Sequence, residues 1–186
     1  MSRRVIWIVT AGAVVAIALV WLLTSSTRQA PLVQEEELLV AQPTPTPAPP
    51  QRITLFFTSI DGLLHPEIRE VPLPEEPDAR VRVVVQELLA GPTGELKPIL
   101  PYPAKLRSVF VTPEGQAFVD LTEPPAPLTG SATELVLVYG VVNSVLLNTE
   151  LSSVQILFGG REVRSLTGHL DLSRPLVLNK RFIGAS

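Results

Sequence analysis

Apolar residues are unevenly spread along the chain, with one long run near its start and shorter periodic stretches after residue 52. The run from Val5 to Leu23 contains nineteen residues and no charge. At about 1.5 Å per residue, a helix of this length reaches about 28 Å, close to the thickness of the hydrocarbon core of a bilayer. Trp7 and Trp21 lie near the ends of the run, where indole rings prefer the headgroup level. The pattern predicts a transmembrane helix over residues 5–23.

Charges on either side of this run indicate its orientation. Arg3 and Arg4 precede it, and Arg28 alone follows it. Because flanking cations stay on the cytoplasmic side, residues 1–4 are expected in the cytoplasm and everything after residue 23 outside it. A cleaved signal peptide is the alternative, since two arginines before an apolar run also fit that description.

The segment 24–51 has the composition of a linker. Five of the nine residues from Gln42 to Pro50 are proline. Such a composition favours extended polyproline II, a semi-rigid spacer of about 3 Å per residue. We expect it to hold the following domain, residues 52–183, away from the membrane.

The first half of this domain has two apolar stretches of strand length and one of helical period. Ile53 to Phe57 and Glu67 to Leu73 are predicted strands, joined through the Asp61-Gly62 turn. Asp78 as N-cap and Gly91-Pro92 as a stop delimit a helix over Ala79–Ala90. One side of this helix is apolar, which predicts a surface helix covering a sheet; its apolar residues are Val81, Val84, Val85 and Leu88.

The second half combines two hairpins with a second helix. Ser108–Val111 and Gln116–Leu121 alternate around Pro113-Glu114-Gly115, and Val154–Phe158 and Arg161–Arg164 flank Gly159-Gly160; each pattern predicts a β-hairpin. Ser131 and Glu134 have capping-box spacing before the apolar run Leu135–Leu147. The fold class expected is therefore α/β of the α+β type: a small mixed or antiparallel sheet with two helices packed on it.

This second helix has apolar residues on two faces. Besides the main stripe, a second side carries small, apolar and amide residues: Val136, Gly140, Asn143, Ser144 and Leu147. This side is the candidate interface with a partner chain. Alternatively, the loop from Pro98 to Pro103 or the first helix covers it.

Composition excludes several kinds of chemistry. The chain of 186 residues has no cysteine and a net charge of −3. Disulfides, thiolate metal sites, a cysteine nucleophile and a lipidated cysteine are therefore impossible, and the electrostatic footprint of a nucleic-acid binder is missing. The two histidines, His65 and His169, stand 104 positions apart, in no metal-ligand spacing. No cofactor or metal is expected.

The remaining candidates for catalysis are four residues. Asp120 and Glu123 could form a carboxylate pair of the glycosidase type, although Asp120 alternates with Val119 and Leu121 as a solvated strand residue does. His169 and Asp171 could join them, but Asp171 more simply accepts hydrogen bonds from nearby backbone. His65 precedes a proline and is expected to be an exposed loop residue. No G-x-S-x-G elbow is present.

The succession of segments resembles the GerMN domain of sporulation and spore germination proteins over nearly all of residues 53–176. The segments that carry the resemblance are Ile53–Phe57, Leu88–Thr93 with Gly91 and Pro92, Phe118–Leu121 with Asp120, Val138–Ser144 with Asn143, Val154–Leu157, and Gly168–Leu176 with His169 and Asp171. The resemblance implies an exported, membrane-attached α/β domain without known catalysis. In spore formers such domains are associated with the channel complex between mother cell and forespore, and their fold is similar to that of ring-building modules. A single domain replaces the tandem pair of the sporulation protein, and a helical span replaces the lipid-modified cysteine.

Together these features predict a membrane-anchored, extracytoplasmic module that is not an enzyme and binds envelope proteins or a second copy of itself. A peptidoglycan-binding domain or weak wall-glycan hydrolase using Asp120, Glu123, His169 and Asp171 is the alternative. No nucleic-acid partner is expected.

Overall fold

The computed structural model of the protein describes residues 49–124 and 126–184. The predicted transmembrane helix 5–23 and nearly all of the linker 24–51 lie outside these ranges. Within them, no helix is long and apolar enough to cross a membrane.

Within the described residues, six strands form two sheets. β1 (Pro50–Thr58) and β2 (Leu64–Pro72) make an antiparallel pair. β3 (Leu106–Val111), β4 (Gln116–Leu121), β5 (Ser153–Phe158) and β6 (Arg161–Glu162) form the second sheet in that order. β4 and β5 are parallel, while β3 and β6 pair antiparallel with their neighbours, so the sheet is mixed.

In the same part of the chain, two α-helices pack on these sheets. α1 (Pro77–Leu89) contacts β1 and β3, and α2 (Ser131–Leu147) connects the parallel strands β4 and β5 and contacts β1, β5 and α1. The buried residues of α1 are the predicted stripe, Val81, Val84, Val85 and Leu88. The α+β class and the two hairpins predicted from the sequence are confirmed.

Neither predicted side-chain cap is present, and the first helix begins two residues before the predicted Ala79. α1 begins at Pro77, and Asp78 accepts a hydrogen bond from the backbone N–H of Val111 at 3.1 Å instead of capping its own helix. α2 begins at Ser131 behind Gly130, whose φ of 89° only glycine adopts readily, and no side chain caps it. A tertiary contact thus engages the Asp78 side chain in place of the helix end.

The second hairpin is shorter than predicted, because β6 ends at Glu162 and not at Arg164. The Arg164 carbonyl accepts from the N–H of Leu172 at 2.9 Å, which redirects the chain away from β5. Farther along, Leu176 forms a bridge with Val154, so a later segment takes over the edge of β5.

Residues 176–184, here called the strap, continue from this bridge across α2 to β2. The strap contains a 3₁₀ turn, Lys180–Phe182, and the ring of Phe182 stacks on Tyr139 with centroids 4.8 Å apart. Ile183 forms a parallel bridge with Leu64 at the end of the strap. The domain is thereby closed on the side where α2 would otherwise be open.

Candidate functional site

The polar side chains near the C-terminal end of α2 complete the outer edge of β1. The N–H of Phe56 donates to Ser144 Oγ at 3.0 Å, and the N–H of Thr54 donates to Asn148 Oδ1 at 2.8 Å. Asn148 Nδ2 donates in return to the Thr54 carbonyl at 2.7 Å. A buried strand edge must find hydrogen-bond partners, and here the helix supplies them.

Asn143 holds the strap in the same manner. Its Nδ2 donates to the carbonyl of Asn179 at 2.9 Å, and its Oδ1 accepts from the N–H of Asn179 at 3.0 Å. The residue is fully buried. Both ends of this amide are therefore used inside the domain.

These contacts correct the expectation that the second face of α2 is free for a partner. Asn143 and Ser144 have no exposed surface, Val136 is buried, and a Cβ atom on Gly140 would lie 2.8 Å from Ile99 Cγ2. The 98–103 loop covers Gly140 and lies beside Val136, as the intramolecular alternative expected, whereas β1 binds Ser144 and the strap binds Asn143. Leu147 alone remains on the surface, with 47% of its area exposed.

Glu134 is the most heavily engaged polar residue of the domain, and sequence reasoning missed its role. Its carboxylate is completely buried and accepts six hydrogen bonds from the loop 165–170. Burial alone raises the pKa of Glu134, but the hydrogen bonds from Ser165, Thr167 and Leu166 outweigh it and lower the pKa to about 2. Glu134, which the sequence predicted as part of the capping box of α2, instead anchors the loop 165–170.

Asp120 is likewise not the solvated strand residue that the alternation predicted. It is 4% exposed, its Oδ2 lies 2.9 Å from Arg107 Nε, and its Oδ1 accepts from the N–H of Gly160 at 2.8 Å. The carboxylate thus fixes the turn between β5 and β6. Glu123 packs on the preceding Gly159 and pairs with Arg161.

His169 and Asp171 lie elsewhere. The backbone N–H of His169 donates to Glu134 at 3.1 Å, and Asp171 accepts from the N–H and the hydroxyl of Ser173. The hydrogen bond from the Ser173 hydroxyl has the largest effect on the pKa of Asp171. Together with the Ser173 N–H and Arg174 it lowers that pKa to about 2. Asp171 is thus a local turn acceptor, as the simpler interpretation expected.

The four catalytic candidates do not meet in one cleft. Glu123 and Arg161 line a cavity of about 450 Å³ with Phe158, whereas His169 and Asp171 line a separate one of about 550 Å³ with Arg164. The two cavities have no lining residue in common. Among residues 49–124 and 126–184, no group of three or more acidic or histidine side chains could hold a metal ion.

His65 is not an exposed loop residue. It lies in β2 with 21% of its side chain exposed, and its Nε2 is 2.8 Å from Asp61 Oδ2. The Leu63 N–H and the imidazole lower the pKa of Asp61. Gly184 of the strap packs directly on the ring, where an added Cβ atom would lie 2.5 Å from Cε1 and Nε2.

The Gly91-Pro92 segment is held by an ion network that the sequence did not reveal. Arg69 donates to the carbonyls of Gly91 and Glu87 and pairs with Glu67 at 2.6 Å. Burial by itself would raise the pKa of Glu67. The hydrogen bonds from Arg69 and Thr93 outweigh this effect, so the pKa of Glu67 is lowered. The segment that stops α1 is thereby tied to β2.

Comparison with known proteins places this arrangement in context. The Germane family model, described as sporulation and spore germination, matches residues 54–164. A similar solved structure is a "putative lipoprotein" from Clostridium perfringens, 23% identical, with a TM-score of 0.50 over 69% of this chain and 88% of that one. That likeness supports the fold.

Two further solved structures come from Bacillus subtilis. The tandem GerMN domains of the sporulation protein GerM are 18% identical over 68% of this chain and 46% of that one, with a TM-score of 0.49. The first GerMN domain alone is 16% identical over 70% and 98%, with a TM-score of 0.46. No curated protein matches the chain significantly.

Proposed function

Because the chain belongs to the Germane family of sporulation and spore germination domains and carries one GerMN-like domain, we propose that it is a membrane-anchored, extracytoplasmic, non-catalytic interaction module of the cell envelope. The apolar run 5–23 is the proposed anchor, and the proline-rich stretch before residue 51 is the spacer. Its partners are envelope proteins or a second copy of the chain.

One observation carries this proposal: the polar residues that could serve chemistry are already bound to the protein itself. Asp120 holds Arg107 and Gly160, Asn143 holds Asn179, and Glu134 holds the loop 165–170. A catalytic acid or nucleophile needs a free lone pair or proton directed at a substrate. The separation of the four residues of the hydrolase alternative also supports the proposal, since Glu123 lines one cavity, His169 and Asp171 line another, and Asp120 is buried and lines neither.

The topology can be tested with single cysteines, because the natural chain has none. We would introduce Glu114→Cys in the exposed β3–β4 turn and, separately, Ser2→Cys, and label right-side-out spheroplasts with a membrane-impermeant maleimide. Labelling is expected for Glu114→Cys at once and for Ser2→Cys only after detergent is added. Protection of Glu114→Cys, or its release as a soluble protein, would refute the proposed location.

The interaction role needs a second test in intact cells. A photo-crosslinking residue at Leu147, the exposed member of the predicted interface, is compared with one at Glu114. We expect a discrete adduct with an envelope protein or a second copy from position 147 and not from 114. In parallel, His169→Ala and Asp171→Asn should leave sporulation and germination unchanged; loss of either process with a folded domain would favour chemistry at these residues.

A further inference from the structure

A cavity of about 520 Å³, here called the α1 cavity, lies at the N-terminal end of α1. Three parts of the chain form its walls: the start of α1, the β3–β4 turn and the segment that follows α2. Asp78 ties α1 to the N–H of Val111 in β3 at 3.1 Å. The Gly115 carbonyl ties the β3–β4 turn to the N–H of Ser152 at 2.8 Å. These bonds fix the walls, so the cavity has the preformed character of a small-molecule site.

Arg80 supplies the positive charge of the α1 cavity. Its Nη2 donates to Gln51 Oε1 at 2.6 Å, whereas its Nε is buried and has no hydrogen-bond partner in the described part of the chain. Buried donors are nearly always paired, because an unpaired one has given up its hydrogen bond to water. Arg80 is thus a cation whose hydrogen-bonding capacity the domain does not use fully.

Two exposed carboxylates, Glu75 and Glu150, line the same cavity. Among the ion pairs of residues 49–124 and 126–184, none includes Arg80, Glu75 or Glu150. The opposite charges therefore border one cavity without neutralising each other in a direct contact. A simple anion would be repelled by the carboxylates and a simple cation by the guanidinium, so the cavity favours a ligand that carries both charges.

The rest of the lining decides how the two charges of such a ligand are joined. Apolar side chains border the cavity between the charged ones in the chain, namely Pro77, Val111, Pro113 and Leu151. A surface of this kind suits a chain of methylene groups. Two carboxylates against one guanidinium leave a net charge of −1, which favours a ligand with one carboxylate and two ammonium groups. Lysine has this constitution, with one ammonium group at the end of a flexible methylene chain.

We propose that the α1 cavity is a binding site for lysine, either as the free amino acid or as the C-terminal residue of a peptide. The carboxylate of the ligand pairs with Arg80, and its side-chain ammonium group pairs with Glu75 or Glu150. Both contacts are charge-assisted hydrogen bonds, the stronger class of such bonds. The methylene chain lies against Val111 and Leu151. This site goes beyond the proposed interaction role and does not depend on it.

The experiment titrates the isotope-labelled full chain in detergent with L-lysine and follows its amide NMR signals. Saturable shifts are expected at Thr112, Gly115 and Leu151, which line the cavity. Norleucine lacks the side-chain ammonium group and lysinamide lacks the carboxylate, so each should bind at least about fivefold more weakly than lysine. The peptide Ala-Ala-Lys separates the two sources of the ligand: binding as tight as that of lysine supports a peptide end, and binding of lysine alone supports the free amino acid.

Variants assign the two charges of the ligand to their partners. Arg80→Gln should weaken lysine binding about tenfold or more, whereas the matched control Arg82→Gln, exposed on the same helix and outside the cavity, should change it less than about twofold. The double variant Glu75→Gln/Glu150→Gln alters only exposed side chains, so it provides a second test if Arg80→Gln does not fold. It should weaken binding at least about fivefold while circular dichroism stays unchanged.

Three results would overturn the inference. The first is the lack of any saturable shift with lysine or with Ala-Ala-Lys. The second is binding of norleucine or lysinamide as tight as that of lysine, because the ligand would then not need both charges. The third is an equal loss of binding in Arg80→Gln and Arg82→Gln, which would show a general effect of charge on the helix instead of a site.

Discussion

The buried carboxylate of Glu134 gives the sharpest prediction about the stability of the domain. Glu134→Gln keeps the size of the side chain but replaces one acceptor oxygen by an amide that donates. The groups that donate to Oε2 are the Thr167 hydroxyl at 2.6 Å and the backbone N–H groups of His169 and Leu170 at 3.1 and 3.2 Å. At least two of these N–H and O–H donors lose their partner in the variant.

The size of the effect follows from the pKa. The pKa of Glu134 falls from 4.5 to about 2, and at about 1.4 kcal/mol per pKa unit the carboxylate contributes about 3 kcal/mol to the free energy of unfolding. Because the folded-state pKa is the lower one, this contribution is fully present above pH 4.5 and is lost as the pH falls from there towards 2. The variant should therefore be less stable by about 3 kcal/mol at pH 7.

Urea unfolding of the wild type, Glu134→Gln and the exposed control Glu150→Gln measures this directly. The difference between wild type and Glu134→Gln should be constant above about pH 5 and shrink towards zero near pH 2, while the control stays within about 0.5 kcal/mol of the wild type. Amide hydrogen exchange should speed up at Leu166, Thr167, His169 and Leu170. A difference that does not change with pH would refute the role of the charge and leave packing as the cause.

Three further predictions concern close contacts and edge caps. Gly140→Ala should lower the free energy of unfolding by about 1–2 kcal/mol, because crowding of Ile99 exceeds the helix-propensity gain of about 1 kcal/mol. In an Ile99→Ala background the same change should be stabilising, and a urea double-mutant cycle measures this reversal. Gly159→Ala should lower the melting temperature more than Gly62→Ala. Both glycines have positive φ, but a Cβ atom at Gly159 would lie 2.7 Å from Glu123, whereas nothing lies within 4 Å of one at Gly62. Equal shifts in the melting temperature would contradict this prediction. Asn148→Ala should cost about 2 kcal/mol and speed hydrogen exchange at Thr54, whose N–H and carbonyl it pairs; unchanged exchange would show that the edge needs no cap.

The elements of the domain were predictable because their signals are local. The α1 stripe from Val81 to Leu88 and the Gly159-Gly160 turn need only a few neighbouring residues to specify them. The family resemblance depended on the same kind of short segment. Its last segment, from Gly168 to Leu176, lies beyond the residues that the family model matches.

The tasks of the polar side chains were not predictable because their partners are distant in sequence. Glu134 precedes Leu166 by 32 positions, and Asn148 follows Thr54 by 94. Near Ser131, the capping-box spacing of Glu134 offered a local explanation that competes with the correct one. Nothing in a linear pattern distinguishes a helix cap from an anchor for a loop thirty residues away.

The same physics explains why the second face of α2 resembled an interface. A helix packed beside a strand edge must carry hydrogen-bonding side chains such as Ser144 and Asn148, because the edge groups of Thr54 and Phe56 are removed from water. It must also carry a small residue such as Gly140 where a loop crosses closely. An apolar helix face with a few polar residues could equally be buried against a second chain, so the sequence pattern does not distinguish the two cases. The distinction lies in what covers the face, and here the covering elements, β1, the 98–103 loop and the strap, belong to the same chain.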